Sequence, residues 1–233
     1  MYKNNIKNIQ KEEAAKAEIS KQFTVLELQA LQAQMNPHFV FNALTAIQNF
    51  IWNKDVKAAN EYLTEFSTLM RLFLESSRRK YLTVEEEVKL LKIYVHLEQL
   101  RFPDRFDATF DVEENINPSD ELPSMLVQPF VENAINHGLL YKKEKGLLQI
   151  HFSKENNILT CVVEDNGVGR DAAAAKRANS MKAHKSRATE ILQERIALMK
   201  SVEGMVVTVN IEDKNAEQSQ DLGTKVLIEI KEV

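Results

Sequence analysis

Apolar residues recur at helical spacing through the first third of the chain. Ile19, Phe23, Leu26, Ala30 and Ala33 step by 4, 3, 4 and 3 residues, the rhythm of a coiled-coil seam. Leu28, Leu31 and Met35 open a second apolar line beside it, and two seams on one helix imply that more than two helices pack there. The pattern predicts a long helix over residues 6–53, a stretch with no Gly, one Pro and many Ala, Leu, Gln, Glu and Lys. Pro37 removes the amide that would bond the carbonyl of Ala33, so a kink is expected just before His38. After a turn at 53–55, Val56, Ala59, Tyr62, Leu63, Phe66, Leu69, Met70, Phe73 and Leu74 predict a second helix over 55–79. Two such helices form an antiparallel hairpin whose apolar stripes exceed what it can hide by itself. Dimerisation into a four-helix bundle is the expected solution.

Beyond residue 80 the texture changes. Thr83 with Glu86 three residues later is a capping box that opens a helix running to about Arg101. There follow an expected strand over 106–112, a helix from about Ser124 to Leu140, and strands over 147–152 and 159–164. A polar stretch from Asn166 to about Lys185 precedes a helix over about 189–200 and strands over 206–211 and 225–230. Paired strands with helices between them predict an α+β sandwich, its helices on one face of a mixed sheet. The expected division is residues 1–80 for the coiled-coil and dimerisation helices and 81–233 for the second domain.

Charge supports that division and excludes some functions. The 30 basic and 34 acidic residues give a net charge of −4 without a dense basic block, so no nucleic-acid partner is expected. Residues 1–80 carry +3 and the remainder −7, an asymmetry suited to two modules. The single Cys161 excludes an internal disulfide and a cysteine-based zinc site, and it favours a reducing, cytoplasmic location. No signal-peptide or transmembrane pattern is visible. The stretch from Leu28 to Asn53 lacks charged residues, but Gln and Asn interrupt it throughout, which suits a helix buried against other helices.

Most catalytic templates fail. There is no G-x-x-x-x-G-K-[ST], no H-E-x-x-H, no G-x-S-x-G and no metal-spaced His/Cys set. Gly167-x-Gly169-x-x-Ala172 nominally satisfies a dinucleotide fingerprint, but Asp165-Asn166 separates it from its strand and too little chain follows for a doubly wound fold. With Asp165 included the run gains sense. Asp165-Asn166-Gly167-Val168-Gly169 leaves a strand on a carboxylate and enters a glycine turn, a geometry suited to accepting from an exocyclic amine. Upstream, Asn133, Asn136 and His137 share one side of an expected helix, where an Asn oxygen suits Mg²⁺ bridging phosphates. Gly223-Thr224 opens the last strand.

Asn133 with its flanks, DNGVG at 165–169 and Gly223-Thr224-x-Val226 resemble the nucleotide boxes of the fold shared by gyrase, Hsp90, histidine kinases and MutL. LQAQMNPHFVFNAL (31–44), the Tyr94 to Arg101-Phe102 segment and LPSMLVQPFVENAINHG (122–138) resemble the LytS-like sensor histidine kinases, over about residues 28–233. The resemblance implies the cytoplasmic core of a two-component sensor kinase that autophosphorylates His38 from ATP and passes the phosphoryl group to an aspartate of a response-regulator receiver domain. By the same resemblance Asn133 is a Mg²⁺ ligand and Asp165 the adenine reader, with Asn136, His137, Gly167, Gly169, Lys185, Arg187 and Thr224 at the nucleotide. It also implies a homodimer, held at the inner membrane only through a sensor region that this chain does not show. The chemistry of the residues agrees with this. A largely neutral imidazole attacks phosphorus without first losing a proton, and Asn42, one turn after His38, shares its face.

Three departures stand out. Phe39 follows His38 where many histidine kinases have an acidic residue, as is usual in the LytS-like group. Pro129 stands where the related ATPases place a water-activating carboxylate, so slow hydrolysis is expected. Ser186-Arg187-Ala188-Thr189 replaces a glycine-bearing lid end, which keeps a catalytically impaired scaffold as the alternative.

Overall fold

The structure is a computed structural model, and it describes residues 37–170, 196, 205–214 and 222–232. Helices α1 (Pro37–Trp52) and α2 (Val56–Ser76) form the expected hairpin. Asp55 caps α2 by accepting from the Ala58 amide at 3.0 Å, and Lys54 turns the corner at φ 61°. Then come β1 (Tyr81–Thr83), α3 (Val84–Arg101), β2 (Phe106–Val112), β3 (Glu121–Pro123) and α4 (Gln128–Asn133). A π-helical turn (Ala134–Gly138) and a 3₁₀ turn (Leu139–Tyr141) continue α4. Strands β4 (Gly146–Glu155), β5 (Ile158–Asp165), β6 (Met205–Lys214) and β7 (Gly223–Glu232) complete the sheet.

The five-stranded sheet runs in the order β2-β4-β5-β7-β6, with β2 parallel to β4 and every other pair antiparallel. This is the expected mixed sheet, and α3 and the π turn pack against it. The capping box is present: the Glu86 amide donates to Thr83 Oγ1 at 3.2 Å and the Thr83 amide to Glu86 Oε2 at 2.9 Å. Extended backbone at Thr83 also lets β1 pair with β3, Tyr81 opposite Pro123. The sequence pattern gave no sign of this ribbon, because three residues are too few to show alternation.

The expected helix from Ser124 begins only at Gln128. The Ser124 amide donates to the Lys80 carbonyl at 3.0 Å, its hydroxyl donates to the Arg79 carbonyl, and Met125 takes φ 56°, so the segment is spent on the β1 side. Pro129 stands within the first helical positions, where a missing amide costs nothing.

One core runs through the whole assembly. Phe39, Ala43 and Ala46 of α1, with Tyr62, Leu69 and Phe73 of α2, join Leu91, Tyr94 and Leu97 of α3 and the inner face of the sheet. Ile196 is helical and packs against this core; the rest of the helix expected over 189–200, the helix before Pro37 with its kink, and the lid with Lys185 and Arg187 lie outside the described residues. Among the described residues no helix is long and apolar enough to cross a membrane.

Candidate nucleotide site

Strand periodicity explains why a carboxylate is buried at the end of β5. Along β5 the buried positions alternate as Leu159, Cys161, Val163 and Asp165, so the last inward position falls on an acid. Asp165 is only 4% exposed. The Gly167 amide donates to its Oδ1 at 2.8 Å, and the Thr224 backbone also donates to it. Burial nevertheless dominates and pushes its pKa up to about 6, against those two amides and the nearby Lys214.

The turn after Asp165 is pinned to the end of the α4 segment. Asn166 Oδ1 accepts from the Leu147 amide at 2.7 Å, Lys142 Nζ donates to the Asn166 carbonyl at 2.8 Å, and the Val168 amide reaches the Gly138 carbonyl at 3.3 Å. A Cβ on Gly167 would lie 2.4 Å from the Gly138 carbonyl carbon, so only glycine permits this approach. Gly169 takes φ 76°, a left-handed conformation that favours glycine. On the other side, a Cβ on Gly223 would lie 2.0 Å from the Asp165 carbonyl oxygen, which fixes Thr224 opposite Asp165 in the sheet.

Helix α4 has no side-chain cap of its own. Glu87 of α3, fully buried, accepts from the Val127 amide at 3.3 Å instead. The segment then continues through a π turn at Ala134–Gly138, which carries Asn136 and His137. Bonding five residues back, as the Leu139 amide does to the Ala134 carbonyl, widens the turn, and such turns frequently mark functional sites. Asn133, Asn136 and His137 are all part-exposed, and Asn136 hydrogen-bonds the hydroxyl of Tyr94 on α3. Tyr94 is 1% exposed, and burial first, then Glu132 and Glu98, raise its hydroxyl well above the usual value.

These acids form a polar seam behind the site. Glu98 ion-pairs Arg101 at 3.3 Å, and burial raises its carboxyl pKa. Gln128 Nε2 donates to Glu132 Oε1 at 3.3 Å, yet burial, with a further push from Glu98, lifts Glu132 to about 7. Tyr94, Glu98 and Glu132 carried no assigned role in the sequence reading. The one visible signal was the i, i+3 spacing of Glu98 and Arg101 on the helix at 94–101.

The structure therefore brings Asp165, Gly167, Gly169 and Thr224 together beside the end of the Asn133–His137 segment. His38 lies in the first turn of the described α1, and its side chain is outside the description; Asn42, one turn on, is part-buried. Phe39, 8% exposed, packs its ring 5.4 Å from Tyr94 and 6.0 Å from Phe66.

A mixed sheet with a buried aspartate at a strand end, a glycine turn and an asparagine-bearing helix beside it makes this an α+β sandwich. Family comparison narrows this: the histidine kinase family model matches residues 26–106. The chain is 34% identical over 205 residues to Sensor protein LytS of Enterococcus faecalis, covering 86% of this chain and 34% of that protein. It is 37% identical over 162 residues to Sensor histidine kinase YpdA of Escherichia coli, covering 68% of this chain and 28% of that protein. The catalytic domain of histidine kinase ThkA superposes with a TM-score of 0.42 at 13% identity, over 65% of this chain and 94% of that one. The chain belongs to the histidine kinase family and is LytS-like within it; it spans about a third of the length of the curated relatives it matches.

Proposed function

We propose that this chain is the kinase core of a two-component sensor: it binds ATP beside Asp165 and transfers the γ-phosphoryl group to His38, from which it passes to an aspartate of a response regulator. The observation that carries the reading is Asp165 itself. A carboxylate is held out of water at a strand end by backbone amides, and the Gly138–Gly167 approach leaves no side chain between it and the α4 segment. That is a costly arrangement for a structural acid and a useful one for selecting an amine donor such as adenine N6.

In the reaction His38 Nε2 or Nδ1 attacks the γ-phosphorus, the β–γ bridging oxygen leaves with ADP, and the imidazole proton is lost to solvent or to a neighbouring group. Neutral imidazole dominates at pH 7, so the nucleophile is available without a dedicated base. Transfer of this kind depends mainly on positioning and charge neutralisation. Asn133, whose amide oxygen is a hard donor, would hold Mg²⁺. Bound there, Mg²⁺ neutralises phosphate charge. Thr224, Gly167 and Gly169 line the site, with His137 and Asn136 near it and Lys185 and Arg187 of the lid assigned to the phosphates. Asn42 orients the phosphoryl group beside His38.

We assign residues 1–80 to dimerisation and phosphotransfer and 81–233 to nucleotide binding, in a homodimer whose cytoplasmic location and membrane attachment follow its full-length relatives. Incubation with γ-labelled ATP and Mg²⁺ should give an acid-labile, base-stable label that His38→Gln abolishes. Label that survives in His38→Gln would overturn the assignment of His38, and tight nucleotide binding without label would make the chain a scaffold.

A further inference from the structure

The helix that carries His38 is not joined to the nucleotide segment at random. We infer that Tyr94 is a positioning residue for phosphoryl transfer: its ring holds Phe39, the neighbour of His38, while its hydroxyl holds Asn136 of the nucleotide segment. This rests on the kinase reading above and assigns a role to a side chain outside the nucleotide site.

Three observations meet at Tyr94. Its ring centroid lies 5.4 Å from that of Phe39, tilted by 37°, within the range of a favourable aromatic pair. Phe39 is pinned from the other side by Phe66 of α2, 6.0 Å away, so the first described turn of α1 is clamped between α2 and α3. The hydroxyl of Tyr94 is bonded by Asn136, which lies on the π turn that continues α4. Tyr94 itself is 1% exposed.

A tyrosine suits this position for a physical reason. Its ring fills an apolar gap between helices as a Phe would, but its buried oxygen demands a polar partner, and the partner available is in the nucleotide segment. A displacement of Asn136 therefore acts on the ring that stacks on Phe39, one residue from the phosphoacceptor. In-line transfer is sensitive to about 1 Å of misplacement, which is worth on the order of a hundredfold in rate.

Tyr94→Phe keeps the stacking and removes only the hydroxyl. It should melt like the wild type, bind ATP with unchanged affinity by calorimetric titration, and lose about tenfold in the autophosphorylation rate at saturating ATP. Asn136→Ala removes the same bond from the other side and, because Asn136 also lies near the nucleotide, is compared at saturating ATP. Adding Tyr94→Phe to Asn136→Ala should cost no further rate, because the link is already broken. The inference fails if Tyr94→Phe labels at the wild-type rate, if its loss is in KM rather than kcat, or if the two losses add. A wild type that takes no label, or a His38→Gln variant that still does, overturns the kinase reading and this inference with it, whereas a labelled wild type with an unaffected Tyr94→Phe removes the inference alone.

Discussion

A Cβ placed on Gly138 would stand 2.7 Å from Oδ1 of Asp165, so the two halves of the candidate site meet through the absence of a side chain. Asp165 is short, buried and already accepting from Gly167, and it has little room to yield. Gly138→Ala should therefore weaken ATP binding at least tenfold and destabilise the fold by about 1–3 kcal/mol. Titration with ATP together with a denaturant midpoint checks both. Unchanged affinity would show that the Asp165 carboxylate is not held for a ligand.

Asp165 also predicts a pH dependence. Its folded pKa of about 6 lies above the ordinary 3.8, so the fold favours the protonated acid. Its contribution to stability is present below the unfolded value and is lost as pH rises through that window. Ligand binding runs the other way, since an amine donor is best met by the ionised acid. Wild-type ATP affinity should rise from about pH 5 to pH 7 as the acid ionises. Asp165→Asn should bind weakly at every pH and lose the stability slope across the same range. A parallel pH profile in the two proteins would remove Asp165 as the acceptor.

How far the sequence revealed this site depends on the range of each interaction. The capping box at Thr83 and Glu86 and the strand at 106–112 are local, and the structure has them as the sequence pattern predicts. DNGVG and Gly223-Thr224 were legible because a glycine turn and a strand start are also local. The π turn was not, because a hydrogen bond to the fifth residue back leaves no mark on a 3.6-residue periodicity. The buried Glu87 was equally silent. Its partner, the Val127 amide, lies 40 residues along the chain, beyond any local pattern.

Tyr62 gives a stability test. Its hydroxyl is buried without a hydrogen-bond partner among the described residues, and burial pushes its pKa up to about 12 from 10.0. Removing an unsatisfied hydroxyl while keeping the ring, 5.8 Å from Phe50, should be neutral or stabilising by up to about 1 kcal/mol in Tyr62→Phe. In the wild type the neutral phenol is favoured by folding, so stability should fall as pH rises between 10 and 12, and the variant should lack that fall. A clear destabilisation of Tyr62→Phe at neutral pH would mean that the hydroxyl has a partner.

The hairpin sorts its apolar residues into two sets that the sequence pattern alone did not separate. Leu69 and Phe73 are buried within the protomer, alongside Tyr62 and Phe39, and a charge there has no route to water. Phe41 and Leu44 of α1 and Leu63 and Leu74 of α2 are exposed in the single chain, Phe41 by 68%. Burying each such side chain in an interface is worth roughly 1.5–3 kcal/mol, so the exposed set is the face expected to meet a second copy. Leu44→Glu combined with Leu63→Glu should halve the mass seen by light scattering at micromolar concentration and leave the melting of the α+β domain intact. Leu69→Glu should instead unfold the hairpin, because it buries an unpaired carboxylate in the shared core. Trp52, the only tryptophan in the chain and 88% exposed, lies on the same hairpin and offers a fluorescence signal for association. A wild type that scatters as a monomer would remove this face as an interface, and a Leu44→Glu, Leu63→Glu variant that stays dimeric would move the interface elsewhere on the chain.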